Sequence, residues 1–275
     1  YKKNKRLFKE MKKYLVIGNP IEHSLSPKLH NYWIKENKID AVYERKMLSE
    51  NDIEKIILKL RSYELHGVNV TVPFKNEVVK YMDILTKEAN ETKSVNTIYL
   101  KDEKIVGHNT DIAGFELGLR SYGYDVKKKN IFIFGAGGVV PSIIVALKKM
   151  GASRISLYNR TVSKSEKIRK LFSDIEIIDK QNVPNDIDML INASSLGINL
   201  TDKIDLDYGK IGSNKFYYDV IYNPSETFFL KEAKKLGNKI ENGKKMFIYQ
   251  AHQAFAIWHN VLPKIDEEVE KLLDT

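Results

Sequence analysis

The stretch that most constrains this chain is Ile131-Phe-Ile-Phe-Gly-Ala-Gly-Gly138. Four apolar residues, two of them β-branched, suit a strand buried on both faces of a parallel sheet. Glycines at 135, 137 and 138 follow, and an apolar run from Val139 to Leu147 then reads as a helix. A strand, a tight glycine turn and a helix leave bare backbone N–H groups at a helix N-terminus. Those orphan donors and the helix dipole both favour an anion, so this is a place to hold a pyrophosphate. Without a Cβ, backbone and phosphate approach closely. The spacing departs from the full dinucleotide fingerprint, because Val140 stands where its last glycine would fall. Taken alone, the turn also fits an ordinary glycine-rich strand–helix connection.

The next strand sharpens the reading. Arg154-Ile-Ser-Leu-Tyr158 ends in Asn159-Arg160-Thr161. A site for NAD(H) usually carries Asp or Glu here, to hydrogen-bond the ribose 2′-hydroxyl. A carboxylate would repel a 2′-phosphate, whereas a guanidinium pairs with it through two hydrogen bonds. The expected cofactor is therefore NADP(H). The competing reading of Arg160 is a solvated loop arginine.

Composition bounds the rest. The chain has 275 residues, comfortable for two domains. It has no cysteine, so neither disulfides nor a thiolate metal site, which fits a reducing cytosol. No His, Asp or Glu cluster has metal-ligand spacing, and no apolar run approaches a membrane span. The formal charge of +9 raises the question of nucleic acid. Residues 1 to 13 hold seven Lys or Arg and one Glu, a net +6 that leaves +3 for everything else. A basic lead without interleaved aromatics is more simply a solvated tail, here expected to be disordered over residues 1–10. It lacks the apolar core of a signal peptide.

From the N-terminal side, Tyr14 to Ile17 reads as the first strand and runs into Gly18-Asn-Pro-Ile-Glu-His-Ser-Leu-Ser-Pro27. Ser26-Pro27 has the form of a helix start, an N-cap serine before proline. That leaves Ser24 as the hydroxyl without a local task. Ala41 to Met47 reads as a strand, and Ser49 as the cap of an amphipathic helix through Ile53, Ile56, Ile57 and Leu60. Gly67 to Thr71 is a third strand leading to Pro73-Phe-Lys75. A lysine just past a strand end, where loops gather, is a candidate catalytic group, although one among 45 basic side chains. Val95 to Leu100 and Ile105 to Gly107 are further strands. His108-Asn-Thr-Asp111 precedes a helix to about Tyr122, and Asp111 taken alone reads better as its cap than as a catalytic group. Later strands are Ile175 to Ile178, Met189 to Asn192, Phe216 to Val220 and Lys239 to Glu241, with a helix from Ser225 to Leu236. From Met246 a broad apolar stripe through Phe247, Ile248, Ala251, Ala254, Phe255 and Trp258 predicts a helix returning to the first domain.

The alternation gives an α/β fold of two α/β domains. The first is a substrate-binding catalytic unit of residues 1–110 plus 244–275. The second is a Rossmann-like NADP-binding unit of residues 111–243. Their cleft is where cofactor and substrate are expected to meet, with hinges near Asp111 and Gly243.

Several motifs together resemble the shikimate dehydrogenase family, from residue 14 to about 260. They are Gly18-Asn-Pro-Ile-Glu-His-Ser-Leu-Ser-Pro-Lys-Leu-His-Asn31, Gly67-Val-Asn-Val-Thr-Val-Pro-Phe-Lys75, Val95-Asn-Thr97 and Gly107-His-Asn-Thr-Asp111. Gly135-Ala-Gly-Gly138, Asn159-Arg-Thr161, Asn192-Ala-Ser-Ser-Leu-Gly197, Asp219-Val-Ile-Tyr-Asn-Pro224 and Gln250-Ala251 complete the set. The resemblance implies reversible reduction of 3-dehydroshikimate with NADPH, within aromatic amino-acid biosynthesis. It implies that Ser24 and Ser26, helped by Tyr222, bind the substrate carboxylate. Asn69, Thr71, Asn96, Asp111 and Gln250 would hold the hydroxyls and the reacting centre. Lys75 and Asp111 would form the catalytic pair. A carboxylate beside an ammonium favours its charged form, so Asp111 would orient Lys75 rather than turn it into a base. The cofactor would lie against Gly135, Ala136, Gly137, Gly138 and Val139, against Asn159, Arg160, Thr161 and Lys164, and against Ser194, Val220 and Gly243.

The chain departs from the family pattern in places. Asn192-Ala-Ser-Ser195 replaces the common Asn-Ala-Thr-Ser, and Gly243-Lys-Lys-Met246 replaces Gly-Leu-Gly-Met beside the nicotinamide. His108 stands where Asp is frequent and reads as a loop residue. The start of the helix at Val139-Val-Pro-Ser142 lacks the usual alanines and arginines. Two other readings are a quinate/shikimate dehydrogenase of broader range and a non-catalytic regulator binding the same acids. The expected partner is a small-molecule substrate, without nucleic acid, membrane or metal, for a cytoplasmic monomer or homodimer.

Overall fold

The computed structural model describes residues 11–274, and the basic lead expected at 1–10 lies outside them. In chain order, the first elements are β1 (Lys12–Gly18), α1 (Ser26–Glu36), β2 (Ala41–Met47), α2 (Ile53–Arg61), β3 (Gly67–Val70), β4 (Ile84–Leu85), α3 (Lys87–Thr92), β5 (Thr97–Lys101) and β6 (Lys104–His108). They form a six-stranded sheet in the order β2-β1-β3-β5-β6-β4. β1 runs parallel to β2 and β3, whereas β5 is antiparallel to both β3 and β6. Helix α4 (Asp111–Ser121) leads into β7 (Asn130–Phe134), α5 (Val140–Lys149), β8 (Arg154–Tyr158), α6 (Val162–Leu171), β9 (Glu176–Ile177), β10 (Met189–Asn192), α7 (Tyr208–Ile211), β11 (Phe216–Asp219), α8 (Phe228–Lys235) and β12 (Lys239–Glu241). This second sheet is parallel throughout, in the order β12-β11-β10-β7-β8-β9. Two helices close the chain, α9 (Lys244–His259) and α10 (Glu267–Lys271).

Period-two burial explains both sheets. On β1, Leu15 and Ile17 face a core shared with Ile53, Ile56, Ile57 and Leu60 of α2. Tyr14 and Val16 face the other core, with Leu29 and Trp33 of α1, Ile248 and Phe255 of α9 and Val269 of α10. On β7, Ile131 and Ile133 pack with Ile143, Ile144 and Leu147 of α5, while Phe132 and Phe134 face Phe229 and Leu230 of α8. Strands covered on both sides read as unbroken apolar runs.

Two features place the site. The strand order reverses around β7, whose neighbours are β8 and β10. The glycine turn after β7 thus opens at the switch point where crevices form in such sheets. Helices α4 and α9 pack closely: a Cβ on Gly114 would lie 2.7 Å from the Cβ of Gln250 and 2.9 Å from the Met246 carbonyl oxygen. Glycine lets the two backbones meet, and it sets Asp111, at the start of α4, beside the segment that carries Gln250.

Several expected boundaries move. Helix α1 starts at Ser26 with Leu25 as its N-cap, so Ser26 is not the cap. Its amide is accepted instead by the Ser24 hydroxyl at 3.3 Å. Ser49 precedes a short 3-10 turn, Glu50–Asp52, and α2 begins only at Ile53; the Ser49 hydroxyl bonds the Asp52 carboxylate at 2.6 Å. Helix α8 begins at Phe228 rather than Ser225, with Thr227 at its N-cap position in extended backbone and the Thr227 hydroxyl donated to Asp219 at 2.6 Å. His108 closes β6 rather than lying in a loop, with its Nδ1 2.7 Å from the Thr86 hydroxyl. Among the described residues, no helix is long and apolar enough to cross a membrane.

Candidate active site

Lys75 lies five residues beyond the end of β3, and Asp111 is the first residue of α4. Their side chains meet at 2.5 Å, Nζ to Oδ2, and are 12% and 6% exposed. A pair this enclosed attracts more strongly than a surface pair, and losing one partner strands the other charge. The backbone fixes the lysine as well, since the Val95 amide donates to the Lys75 carbonyl at 2.8 Å.

A buried amide network holds the carboxylate. Asn96 gives one amide hydrogen to Asp111 Oδ1 at 2.9 Å and the other to the Thr110 hydroxyl at 2.9 Å. Its carbonyl oxygen accepts the Thr110 amide at 2.8 Å and the Thr97 hydroxyl at 3.0 Å. Asn109, which the sequence left without a role, accepts the Asp111 amide at 3.0 Å. Its own amide group donates to Ser94 O at 3.1 Å and to the Ser142 hydroxyl of α5 at 2.9 Å. Asn109 therefore ties the backbone at the start of α4, which carries the carboxylate, to α5 and to the segment before β5. Ser142 supplies the second anchor at the very position where α5 departs from the family's usual start.

Asn69 on β3 is buried. Its amide donates to Asn96 O at 3.0 Å and to the Thr97 hydroxyl at 3.1 Å. Its oxygen accepts the Tyr43 hydroxyl at 2.7 Å. Thr71 follows β3 directly, and its amide bonds Ile17 O at 2.9 Å. Gln250 lies on α9 with its amide donating to Phe247 O at 2.9 Å. Ser24 lines a cavity of about 600 Å³ together with His23, Lys28, Arg45 and Asn223, so the serine loop faces open space. Tyr222 packs its ring 4.8 Å from that of Phe247, and burial pushes its hydroxyl up to about 12. It is a neutral hydrogen-bond donor at physiological pH.

The expected cofactor residues gather at the ends of β7, β8, β10 and β11. Gly135 adopts φ +114°, and a Cβ there would lie 2.7 Å from the Ala193 carbonyl, so only glycine fits. A Cβ at Gly138 would meet nothing within 4 Å. Among the described residues, no acceptor takes the N–H of Gly137, Gly138 or Val139. The Ala136 amide is already held by Asn159 Oδ1 at 3.1 Å, and the Asn159 amide donates to Thr161 O at 2.9 Å. Arg160 and Lys164 are exposed, and no described residue engages either charge. The Ser194 hydroxyl donates to Asn192 Oδ1 at 2.7 Å, and Asn192 in turn bonds Asp219 at 3.0 Å. Burial raises the Asp219 carboxyl to about 6. A Cβ on Gly243 would fall 1.9 Å from Val220 O, so the start of α9 closes on the end of β11. Lys245 does not point into this region: its ammonium pairs with Glu270 of α10, as Lys244 pairs with Asp274 at 2.5 Å.

Known proteins match along the whole of this arrangement. Residues 16–98 match the model of the shikimate dehydrogenase substrate binding domain. A shikimate dehydrogenase (NADP(+)) of Pelagibacter ubique is 54% identical over 263 residues, 96% of this chain and 99% of that one. The crystal structure of shikimate dehydrogenase from Aquifex aeolicus superposes with a TM-score of 0.89 at 33% identity, over 97% of this chain and 98% of that one. Shikimate 5-dehydrogenase from Thermus thermophilus, in complex with NADP(H) and shikimate, gives 0.87 at 26% identity, over 96% and 99% of the two chains. With more than half of its residues shared with one such enzyme across nearly its full length, the chain belongs to the shikimate dehydrogenase family.

Proposed function

We propose that this chain is an NADP-dependent shikimate dehydrogenase, interconverting 3-dehydroshikimate and shikimate. The observation that carries the reading is the enclosed Lys75–Asp111 pair, set in a network that holds both groups. When bound, the nicotinamide would supply the hydride for the carbonyl carbon. As charge grows on the carbonyl oxygen, the Lys75 ammonium stabilises it and delivers a proton; in the reverse direction the neutral amine takes the proton back. Asp111 holds the ammonium in place, and Asn96 holds Asp111. Ser24, Ser26 and Tyr222 take the carboxylate, while Asn69, Thr71, Asn96 and Gln250 take the hydroxyls. A site built to pair hydroxyls rejects analogues that lack them by large factors.

The glycine turn suits the cofactor's pyrophosphate. Three unclaimed amides sit at the N-terminus of the ten-residue α5, and the space over Gly138 is open. Arg160 and Lys164 suit a 2′-phosphate, and Ser194, Val220 and Gly243 line the way to the nicotinamide. Residues 1–110 with 244–275, and residues 111–243, act in this reading as two units that close on the ligands.

The test follows nicotinamide absorbance with purified protein, shikimate or quinate, and NADP⁺ or NAD⁺. Fast reduction with shikimate and NADP⁺ alone is expected. Comparable rates with quinate or NAD⁺ would move the protein to the broad-range enzymes, and binding without turnover would make it a regulator.

A further inference from the structure

Asn69 stands in a motif, yet the structure ties its side chain to Tyr43, 26 positions away, which belongs to no motif. Tyr43 lies on β2, 1% exposed, its ring stacked on His30 at 4.2 Å and 4°. Its hydroxyl donates to Asn69 Oδ1 at 2.7 Å. The direction of that bond follows from the surroundings. The Asn96 carbonyl, 3.0 Å from Asn69 Nδ2, can only accept, so the amide nitrogen must face it. The Asn69 oxygen then faces Tyr43, and because it also only accepts, the phenol proton is committed to it. The second amide hydrogen is taken by the Thr97 hydroxyl at 3.1 Å, whose own proton goes to Asn96 Oδ1 at 3.0 Å. Asn69 has no N–H left to offer, only a lone pair. The Tyr43 oxygen likewise retains only acceptor capacity. Burial keeps the phenol protonated well beyond the physiological range.

We propose that Tyr43 is a positioning residue that holds the Asn69 side chain in the substrate site. The Asn96 carbonyl sets the direction of the Asn69 amide, and the Tyr43 hydroxyl pins its oxygen, whose remaining lone pair accepts a substrate hydroxyl. Recognition of that hydroxyl is then set in part by one buried phenol that touches no ligand. The inference rests on the function proposed above.

The test is Tyr43→Phe, which keeps the ring and its stack on His30. The shikimate KM is expected to rise roughly five- to fifty-fold, the loss of about one hydrogen bond's worth of positioning. The kcat and the NADP⁺ KM should stay within two-fold. Because Tyr43 acts through Asn69, adding Tyr43→Phe to Asn69→Ala should raise the shikimate KM no further. His30→Phe disturbs the stack but spares the hydroxyl, and it should leave that KM unchanged. An unmoved shikimate KM in Tyr43→Phe, a fully additive double variant, or a Tyr43→Phe protein that loses melting temperature, kcat and both KM values together would each overturn the proposal. If His30→Phe matches the effect of Tyr43→Phe, packing rather than the hydroxyl is responsible, and the proposal also falls. A wild-type protein that does not turn over shikimate overturns the function beneath it; an active wild type with an unmoved variant overturns this inference alone.

Discussion

The two halves of the site await their ligands in opposite conditions. Around Lys75, the polar groups of Asn69, Asn96, Thr97, Thr110 and Asp111 are buried and already bonded to one another. Around the glycine turn, the amides of residues 137–139 have no acceptor among the described residues, and Arg160 and Lys164 stand in solvent. The difference follows from the task. Where a proton moves, geometry must be set before the substrate arrives, and a 1 Å error is costly. A phosphate site needs only donors that lack partners, because the anion completes the set.

The sharpest way to break the comparison is Lys75→Ala. It should lower kcat by about 10²- to 10⁴-fold with the shikimate KM within a few-fold. Near-wild-type turnover would remove Lys75 from the chemistry. Next come two glycines of one turn. Gly135→Ala forces φ +114° and a 2.7 Å contact on a side chain, and it should cost about 3 kcal/mol in denaturant unfolding. Gly138→Ala meets open space, so its stability should hold within about 0.5 kcal/mol while NADP⁺ affinity falls. Unchanged affinity would show that the cofactor does not approach this backbone. Arg160→Gln should then raise the NADP⁺ KM roughly ten-fold or more and leave NAD⁺ untouched, as expected for a lost charge-assisted bond. Asn159→Asp still accepts from Ala136, and it should shift preference toward NAD(H); no shift would sink the assignment.

The pH dependence of stability also separates the halves. In the first, burial lowers His30 to about 3 and His259 to about 4. Both are neutral when folded, while the unfolded chain takes up protons near pH 6.5. Their contribution is whole above about pH 6.5 and is lost as pH falls toward the folded values, by roughly 2 kcal/mol for His30 at pH 5 and by less for the more solvent-screened His259. In the second half, Asp219 is raised to about 6. The folded form holds its proton more tightly, so its contribution is whole below about pH 4 and is lost as pH rises to about 6. Asp219→Asn should flatten that loss, and His30→Phe should flatten the acid one. Melting curves from pH 4 to 7 that keep the wild-type slope in either variant would reject the corresponding assignment.

How much of this is legible in the sequence depends on what each residue must satisfy. β7, β8 and α5 are readable because burial on both faces writes continuous apolar runs. α6 is not, since only Ser165 and Ile168 of its ten residues are buried, and β4, at two residues, is too short to show a period. The motif residues of the site are readable as types, but their bonding is not. Ser24 and Ser26 exchange the expected roles because α1 starts one residue earlier than Pro27 suggests. Tyr43 looks in sequence like any strand aromatic, and its partner Asn69 lies 26 positions away. Asn109 and Ser142, 33 apart, pose the same problem. Polar pairing across the chain leaves no local pattern.

The core beneath β1 has one further consequence, for biosynthesis. Tyr14 and Val16 are covered by Ile248, Ala251 and Phe255, and by Val269 and Leu273 near the end of the chain. Trp33 donates to the carbonyl of Lys264, 231 positions on. On the ribosome, every strand of the parallel sheet emerges before the residues that seal the sheet made first. The N-terminal third must therefore wait, with one apolar face bare, while the middle of the chain completes its own core. A nascent chain stalled before residue 244 should display that face to chaperones, and emergence of residues 244–273 should end the exposure.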